Sequence, residues 1–342
     1  MSNTSNASGP STEGYETTEV FANMTSSVLV SENASKQWID YIQFVFLPIT
    51  IVLGIVGNLL TIIIMLSERF ANSPSSILLI LLSLSDLVAL LSQPFNKTNF
   101  NDLIGLDIRA FTDSNCKLYI LIRRTSKMMS SWAVVGLCLE RFIAVWFPLK
   151  AKLFVTKRLV LILVISGLVI IASFNAVWSY ASKVVNGRCN PDVYDYTNST
   201  ERLKYGVMLQ FGTGIYSNVP IILLTIFTTL IATKLFYHRR KRRSMTSRSS
   251  GDQDVRITAM LIGIAIAYVI LIFPITVLHN IAYQKRLHAF TEASDGFSLY
   301  KEIAQFMEKL NYCLNFFLYV MTSSQFRQEL RTKLFSCRCK PN

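Results

Sequence analysis

The chain reads as an all-α membrane protein: a seven-transmembrane helix bundle with a short amphipathic eighth helix. Three observations lead there. The composition is 51% apolar and only 16% charged over 342 residues, too greasy for a soluble protein of this length. Seven apolar segments are each long enough to cross about 30 Å of hydrocarbon at about 1.5 Å per residue. Lys and Arg collect on one side of those segments, as membrane insertion requires. Much of the net charge of +13 lies in the loops between spans, which disfavours a nucleic-acid partner. Six cysteines do not make a disulfide scaffold, although a single bridge on the oxidising side stays open.

Residues 1–37 are rich in Ser, Thr, Asn and Glu and cannot bury enough apolar surface to fold alone, so they read as a disordered tail. The tail carries Asn-x-Ser/Thr sites at Asn3, Asn6, Asn23 and Asn33, which argues for glycosylation and an extracellular N-terminus. It lacks the apolar core of a cleavable signal peptide, so the first span is expected to be its own insertion signal. The core, 38–322, holds spans near 39–66, 75–95, 115–146, 158–180, 205–236, 255–283 and 299–321. In the last segment, 323–342, Phe326, Leu330 and Leu334 alternate with Arg and Lys at helical spacing, a pattern for a helix on the membrane surface. Of the 34 Lys and Arg residues, 18 fall after spans one, three, five and seven, 11 on the opposite side and five within spans. This bias places the C-terminus in the cytoplasm. The run from His238 to Ser250 supplies most of it.

Seven spans alone could build a receptor, a transporter or a channel. No internal repeat or interrupted helix pair of the transporter kind is present. Nor is there metal-ligand spacing or a phosphate loop, so the reading is not an enzyme. Motifs then separate the remaining classes. Asn58 lies in "GNLL" of the first span, Asp86 in "LSLSDL" of the second, and the third ends in "LERFIAVWFPL". Pro220 sits in the fifth span, Pro274 in the sixth, and "NFFLY", Asn315 to Tyr319, in the seventh. Together these resemble the rhodopsin-like, or class A, G protein-coupled receptors over about residues 37–339. The divergent motifs look like those of invertebrate peptide receptors of the FMRFamide type.

The resemblance implies roles for particular residues. Glu140 would restrain Arg141 at rest and release it to a heterotrimeric G protein; Asp254 would be a second acid for Arg141 or a helix cap. Cys116 and Cys189 would form the bridge between the third span and the second outer loop. Asp86, an acid within an apolar helix, would join Asn58, Ser130, Asn311 and Asn315 in a polar cluster able to hold a sodium ion, or a purely structural network. Pro274, Asn315 and Tyr319 would take part in activation. No other cofactor is implied. Phe316 stands where the family has proline and Ile272 where a tryptophan is usual.

The stretch "YILIRRTSKMM" places Arg123, Arg124 and Lys127 in the third span, about 10 to 16 Å below Cys116. Positions three and four apart share a helix face, so the three cations form a stripe that needs water or an anion. In the resemblance this depth lines the ligand pocket, and an arginine at position 123 excludes an amine ligand. Two readings stay open: a clamp by Arg123 and Lys127 on an anionic ligand group, or internal pairing with Glu308. Tyr216, His279 and Gln305 would also face the ligand, expected to be a neuropeptide, with a small anionic metabolite or lipid as the competitor. Lys309 stands where opsins attach retinal, which keeps a Schiff-base alternative. Cys337 and Cys339 are palmitoylation candidates, whereas Cys138 and Cys313 read as core thiols. The expectation is a multi-pass plasma-membrane receptor.

Overall fold

A computed structural model describes residues 33–71, 73–94, 107–185, 187–190, 199–242, 251–284 and 295–335. Seven long helices form the bundle. Helix α1 is Asn33–Met65, α2 Pro74–Leu91 and α3 Asp113–Trp146. Helix α4 is Lys157–Tyr180. Helix α5 runs through Ser199–Thr213, a wider π-turn Gly214–Asn218, and Val219–Arg242. Helix α6 is Gly251–Gln284 and α7 Asp295–Thr322, and a short α8, Ser324–Phe335, follows. Helix α3 is central, touching α2, α4, α5 and α6, while α7 closes the ring against α1, α2 and α6.

The first and seventh helices depart from the sequence expectation in different ways. The last residues of the supposed tail, from Asn33, belong to α1, because they continue without a break into its apolar run. Six helices, α1 to α6, carry windows apolar enough to cross a membrane. Helix α7 does not meet that measure, although it is 28 residues long, because Lys301, Glu302, Glu308 and Lys309 fall within it. Glu308 and Lys309 are buried inside the bundle, so their charge faces protein rather than lipid.

Proline chemistry shapes α5. In the π-turn the Val219 N–H bonds back to the Gly214 carbonyl, and the next donor in that register would be Pro220, which has no N–H. The Ile215 carbonyl instead accepts from Trp132 Nε1 on α3 at 3.1 Å, and the Tyr216 carbonyl from the Tyr268 hydroxyl on α6 at 3.2 Å. A local backbone defect thereby becomes two interhelical bonds.

Glycines bring α1 onto α7. A Cβ at Gly57 would stand 2.8 Å from Phe316 Cβ, and one at Gly54 would meet Leu90 at 2.5 Å and Cys313 Cα at 3.3 Å. The ring at position 316, where the resembled family has proline, therefore occupies space that Gly57 vacates. Phe316 also packs edge-on against Phe326 of α8, which in turn meets Tyr319. Phe326 is thus fully buried and Leu330 packs on the core, whereas Leu334 is exposed. Only the outer part of the predicted amphipathic face is left for a membrane surface.

At the Cys116 end, strands β1 (Lys183–Val185) and β2 (Arg188–Asn190) pair antiparallel, with Gly187 at φ +72° in the left-handed region glycine enters freely. Cys189 of β2 is disulfide-bonded to Cys116 of α3, with Cα atoms 5.4 Å apart. Asp107 braces the hairpin: it accepts the Cys189 N–H at 2.9 Å and holds Arg109 through two bonds of 2.7 Å. Burial alone would raise the Asp107 pKa, but the bonds from Arg109 and Cys189 and the Arg109 charge lower it below the usual carboxylate value. Cys138 and Cys313 are buried thiols, as expected.

Candidate functional site

Helix geometry splits the predicted cationic stripe. Successive residues on a helix diverge by about 100°, so Arg124 turns to α4, where its guanidinium lies 3.8 Å over the Trp178 ring. Lys127 turns to α7, where its Nζ meets Glu308 Oε1 at 2.7 Å. Of the two readings for Lys127, the internal pair is the one formed. The clamp of Arg123 and Lys127 therefore needs correction, because the ammonium already has a carboxylate partner across the bundle. Arg123 is half-buried and within electrostatic reach of Lys127 and Glu308.

Glu308 is the hub of this layer. Its Oε1 also accepts from the Tyr216 hydroxyl on α5 and from the Tyr312 hydroxyl at 3.3 Å, while the two tyrosine hydroxyls stand 3.0 Å apart. The Tyr268 hydroxyl donates to Ser131 at 2.8 Å, tying α6 to α3 one turn below Lys127. One buried carboxylate thus connects α3, α5 and α7 through charge-assisted bonds, the stronger class of hydrogen bond. His279 lies within electrostatic reach of Glu308, Lys127 and Arg124. Gln305 is half-buried and makes no hydrogen bond among the described residues. Of the six residues expected to bind ligand, Lys127 and Tyr216 meet directly at Glu308. Tyr268, Tyr312 and Ser131 had escaped the sequence reading because a tyrosine in an apolar span carries no pattern of its own.

A second polar layer lies about 10 Å further along α7. Asp86 is fully buried; Ser130 donates to its Oδ1 at 2.5 Å and Asn315 to its Oδ2 at 2.7 Å. Asn58 is bonded elsewhere than to Asp86, its Nδ2 donating to the Gly54 and Tyr312 carbonyls at 2.9 Å each. Among the described residues, buried Asn58 Oδ1 and Asn311 Nδ2 have no hydrogen-bond partner. The expected five-residue cluster is therefore a tight trio of Asp86, Ser130 and Asn315, with Asn58 bonded to the α7 backbone.

At the far end of α3, Glu140 and Arg141 form an ion pair of 3.6 Å. Ser75 of α2 sits between them, accepting from Arg141 Nη2 at 2.5 Å and donating to Glu140 Oε1 at 2.7 Å. Nothing in its sequence context distinguished Ser75 from the other serines of α2. Arg141 Nε and Glu140 Oε2 are buried without a partner among the described residues. Asp254 lies on α6, but its side chain is outside the described residues, as are Asn3, Asn6, Asn23, Cys337 and Cys339. Asn33 is exposed at the first residue of α1. Pro274 lies within α6, its carbonyl accepting from the Tyr300 hydroxyl at 2.9 Å, and the Tyr319 side chain is buried with its hydroxyl unpaired among the described residues.

An apolar crevice of about 360 Å³, lined by Trp38, Ile42, Phe46, Leu299, Ile303 and Phe306, opens on the outer side of α1 and α7. It contains no charged group and is separate from the Glu308 layer.

The profile of the 7 transmembrane receptor (rhodopsin family) matches residues 57–319, from the first glycine of "GNLL" to the tyrosine of "NFFLY". The chain belongs to the rhodopsin family of seven-transmembrane receptors. This rhodopsin-family chain is 23% identical over 326 residues to a Gq-coupled rhodopsin of Mizuhopecten yessoensis, covering 90% of the chain and 62% of that protein. It is 25% identical over 230 residues to the growth hormone secretagogue receptor type 1 of Homo sapiens, covering 63% and 59% respectively. With the neuropeptide Y receptor type 4 of Rattus norvegicus it shares 24% over 323 residues, covering 88% and 82%. The chain thus spans about three-fifths of the length of the first two relatives.

Proposed function

We propose that this receptor binds an extracellular peptide between α3, α5, α6 and α7 and passes the signal to a heterotrimeric G protein at the Arg141 end, across the plasma membrane. The observation that carries the reading is the buried Lys127–Glu308 pair. It lies at the pocket depth and joins two helices that also hold the Asp86 layer, Asn315 on α7 and Ser130 on α3. A ligand that pulls either partner away shifts an equilibrium between two packings of the same helices, by no more than its difference in affinity for them. Tyr312 links the layers, its hydroxyl on Glu308 and its carbonyl on Asn58. At the inner end, Arg141 is restrained through Nη2 by Ser75 and Glu140 while its Nε has no partner among the described residues, which suits a guanidinium to be handed to a G protein. Similarity to a neuropeptide Y receptor favours a peptide.

Asp86 with Ser130 presents carboxylate and hydroxyl oxygens that suit a hard monovalent cation such as sodium. When bound, such an ion would neutralise the buried carboxylate and favour the resting packing.

The test is nucleotide exchange on purified heterotrimers by the receptor in lipid nanodiscs, exposed to a peptide pool. Exchange that rises with the pool and is lost in Arg141→Ala supports the reading; exchange unaffected by Arg141→Ala overturns it. A second reading, a retinal Schiff base on Lys309, is favoured by the similarity to a rhodopsin and by the burial of that lysine. A retinal-dependent visible absorbance band decides between them.

A further inference from the structure

Lys309 differs from Arg124 and Lys127, two of the cations of the pocket layer. Arg124 stacks on Trp178 and Lys127 pairs with Glu308. Lys309 is only 8% exposed, and among the described residues it makes no hydrogen bond and no ion pair. Its sequence neighbour Glu308 points its engaged oxygen at α3 and α5, where three donors already converge. Glu302, Glu308 and Arg123 lie within electrostatic reach of Lys309, but neither carboxylate is bonded to it among the described residues. An ammonium withdrawn from water without a bonded partner is costly, and the Arg123 charge adds to that cost while the two carboxylates offset part of it.

We infer that Lys309 and Arg123 together seat an anionic group of the ligand, a carboxylate. The inference rests on the receptor reading above and names the chemistry that its pocket selects. A carboxylate offers two oxygens, one for the ammonium of α7 and one for the guanidinium of α3, and its charge removes the repulsion between them. This seat differs from the clamp expected from sequence, since Lys127 is replaced by a residue 182 positions further along the chain. It also gives the ligand a means of acting, because an anion beside Glu308 repels the Glu308 carboxylate and loosens its hold on Lys127.

The experiment compares matched acids and amides on the receptor in nanodiscs: acetate, benzoate and N-acetyl-phenylalanine against acetamide, benzamide and N-acetyl-phenylalaninamide, with tripeptides bearing a free or amidated C-terminus as the peptide arm. The readout is the thermal melting temperature. One or more acids should raise the melting temperature of the unmodified receptor while their amides do not, and Lys309→Gln and Arg123→Gln should weaken the apparent affinity about tenfold or more. Lys309→Arg should retain the effect. A response to the tripeptides alone assigns the carboxylate to a peptide, and a response to the small acids to a metabolite. Equal response to acids and amides, no response to any acid, or an undiminished response in Lys309→Gln overturns the seat. If Lys309→Gln does not fold, Arg123→Gln and Lys309→Arg decide in the same way. Nucleotide exchange in the same discs is read separately. Exchange driven equally by free and amidated peptides overturns the seat and leaves the receptor reading, whereas acid-dependent melting without exchange on any heterotrimer does the reverse.

Discussion

Two buried carboxylates, one helical layer apart, solve the same problem in opposite ways. Asp86 is held by neutral donors, the Ser130 hydroxyl and the Asn315 amide. Glu308 is held by a cation, Lys127, with the Tyr216 and Tyr312 hydroxyls around it. A carboxylate surrounded by neutral donors can take up a proton or a small cation without leaving another charge exposed. A carboxylate in an ion pair cannot, because losing either partner strands the other in a low-dielectric interior. The first arrangement suits an adjustable relay, the second a lock.

The sharpest way to break the comparison is to neutralise Glu308. Glu308→Gln should destabilise the receptor by about 3–5 kcal/mol, since it leaves Lys127 buried and unpaired. The double variant Lys127→Met with Glu308→Leu should recover most of that, and a double-mutant cycle on melting temperature in detergent measures the coupling. If the double variant is no better than Glu308→Gln, the pair is not the source of the cost.

Asp86→Asn should cost less, about 1–3 kcal/mol, because the neighbours it leaves unsatisfied are neutral. If the trio holds sodium, replacing choline by sodium chloride should raise the melting temperature of the unmodified receptor and not that of Asp86→Asn. A smaller effect, about 1 kcal/mol, is expected of Tyr216→Phe, which removes one of the donors to Glu308 while Lys127 stays in place. Chemical denaturation or thermal melting resolves it.

Asp107, a third acid at the Cys116 end, extends the comparison with the smallest expected effect. Its pKa is lowered in the folded chain, so its contribution is complete above the ordinary carboxylate range and lost as pH falls through the lower folded value. Amide exchange at Cys189 should therefore quicken under acid conditions in the unmodified receptor, and Asp107→Asn should show the faster exchange already at neutral pH.

Much of this was legible in the chain. Apolar runs and proline positions mark out the seven helices, since a bilayer demands above all length and hydropathy. The Cys116–Cys189 pair was implied by the motifs, which also singled out Glu140, Arg141 and Asp86, the residues that the structure finds in polar contacts. The hairpin around Gly187 had a signal in the Asn186-Gly187 dipeptide, which favours tight two-residue turns. Ser75, Tyr268 and Tyr312 had none, because their importance lies in what stands opposite them on another helix.

The sequence by itself determined that a cationic stripe sits in the third span, and that it requires a partner. Only the tertiary structure decided how the stripe divides, with Arg124 going to Trp178 and Lys127 to Glu308, and that buried Lys309 has no bonded partner among the described residues. Periodicity tells which face of a helix is polar, whereas the partner of each residue depends on how neighbouring helices are rotated and staggered. That relation is set by packing among side chains far apart in the chain, such as Gly57 against Phe316.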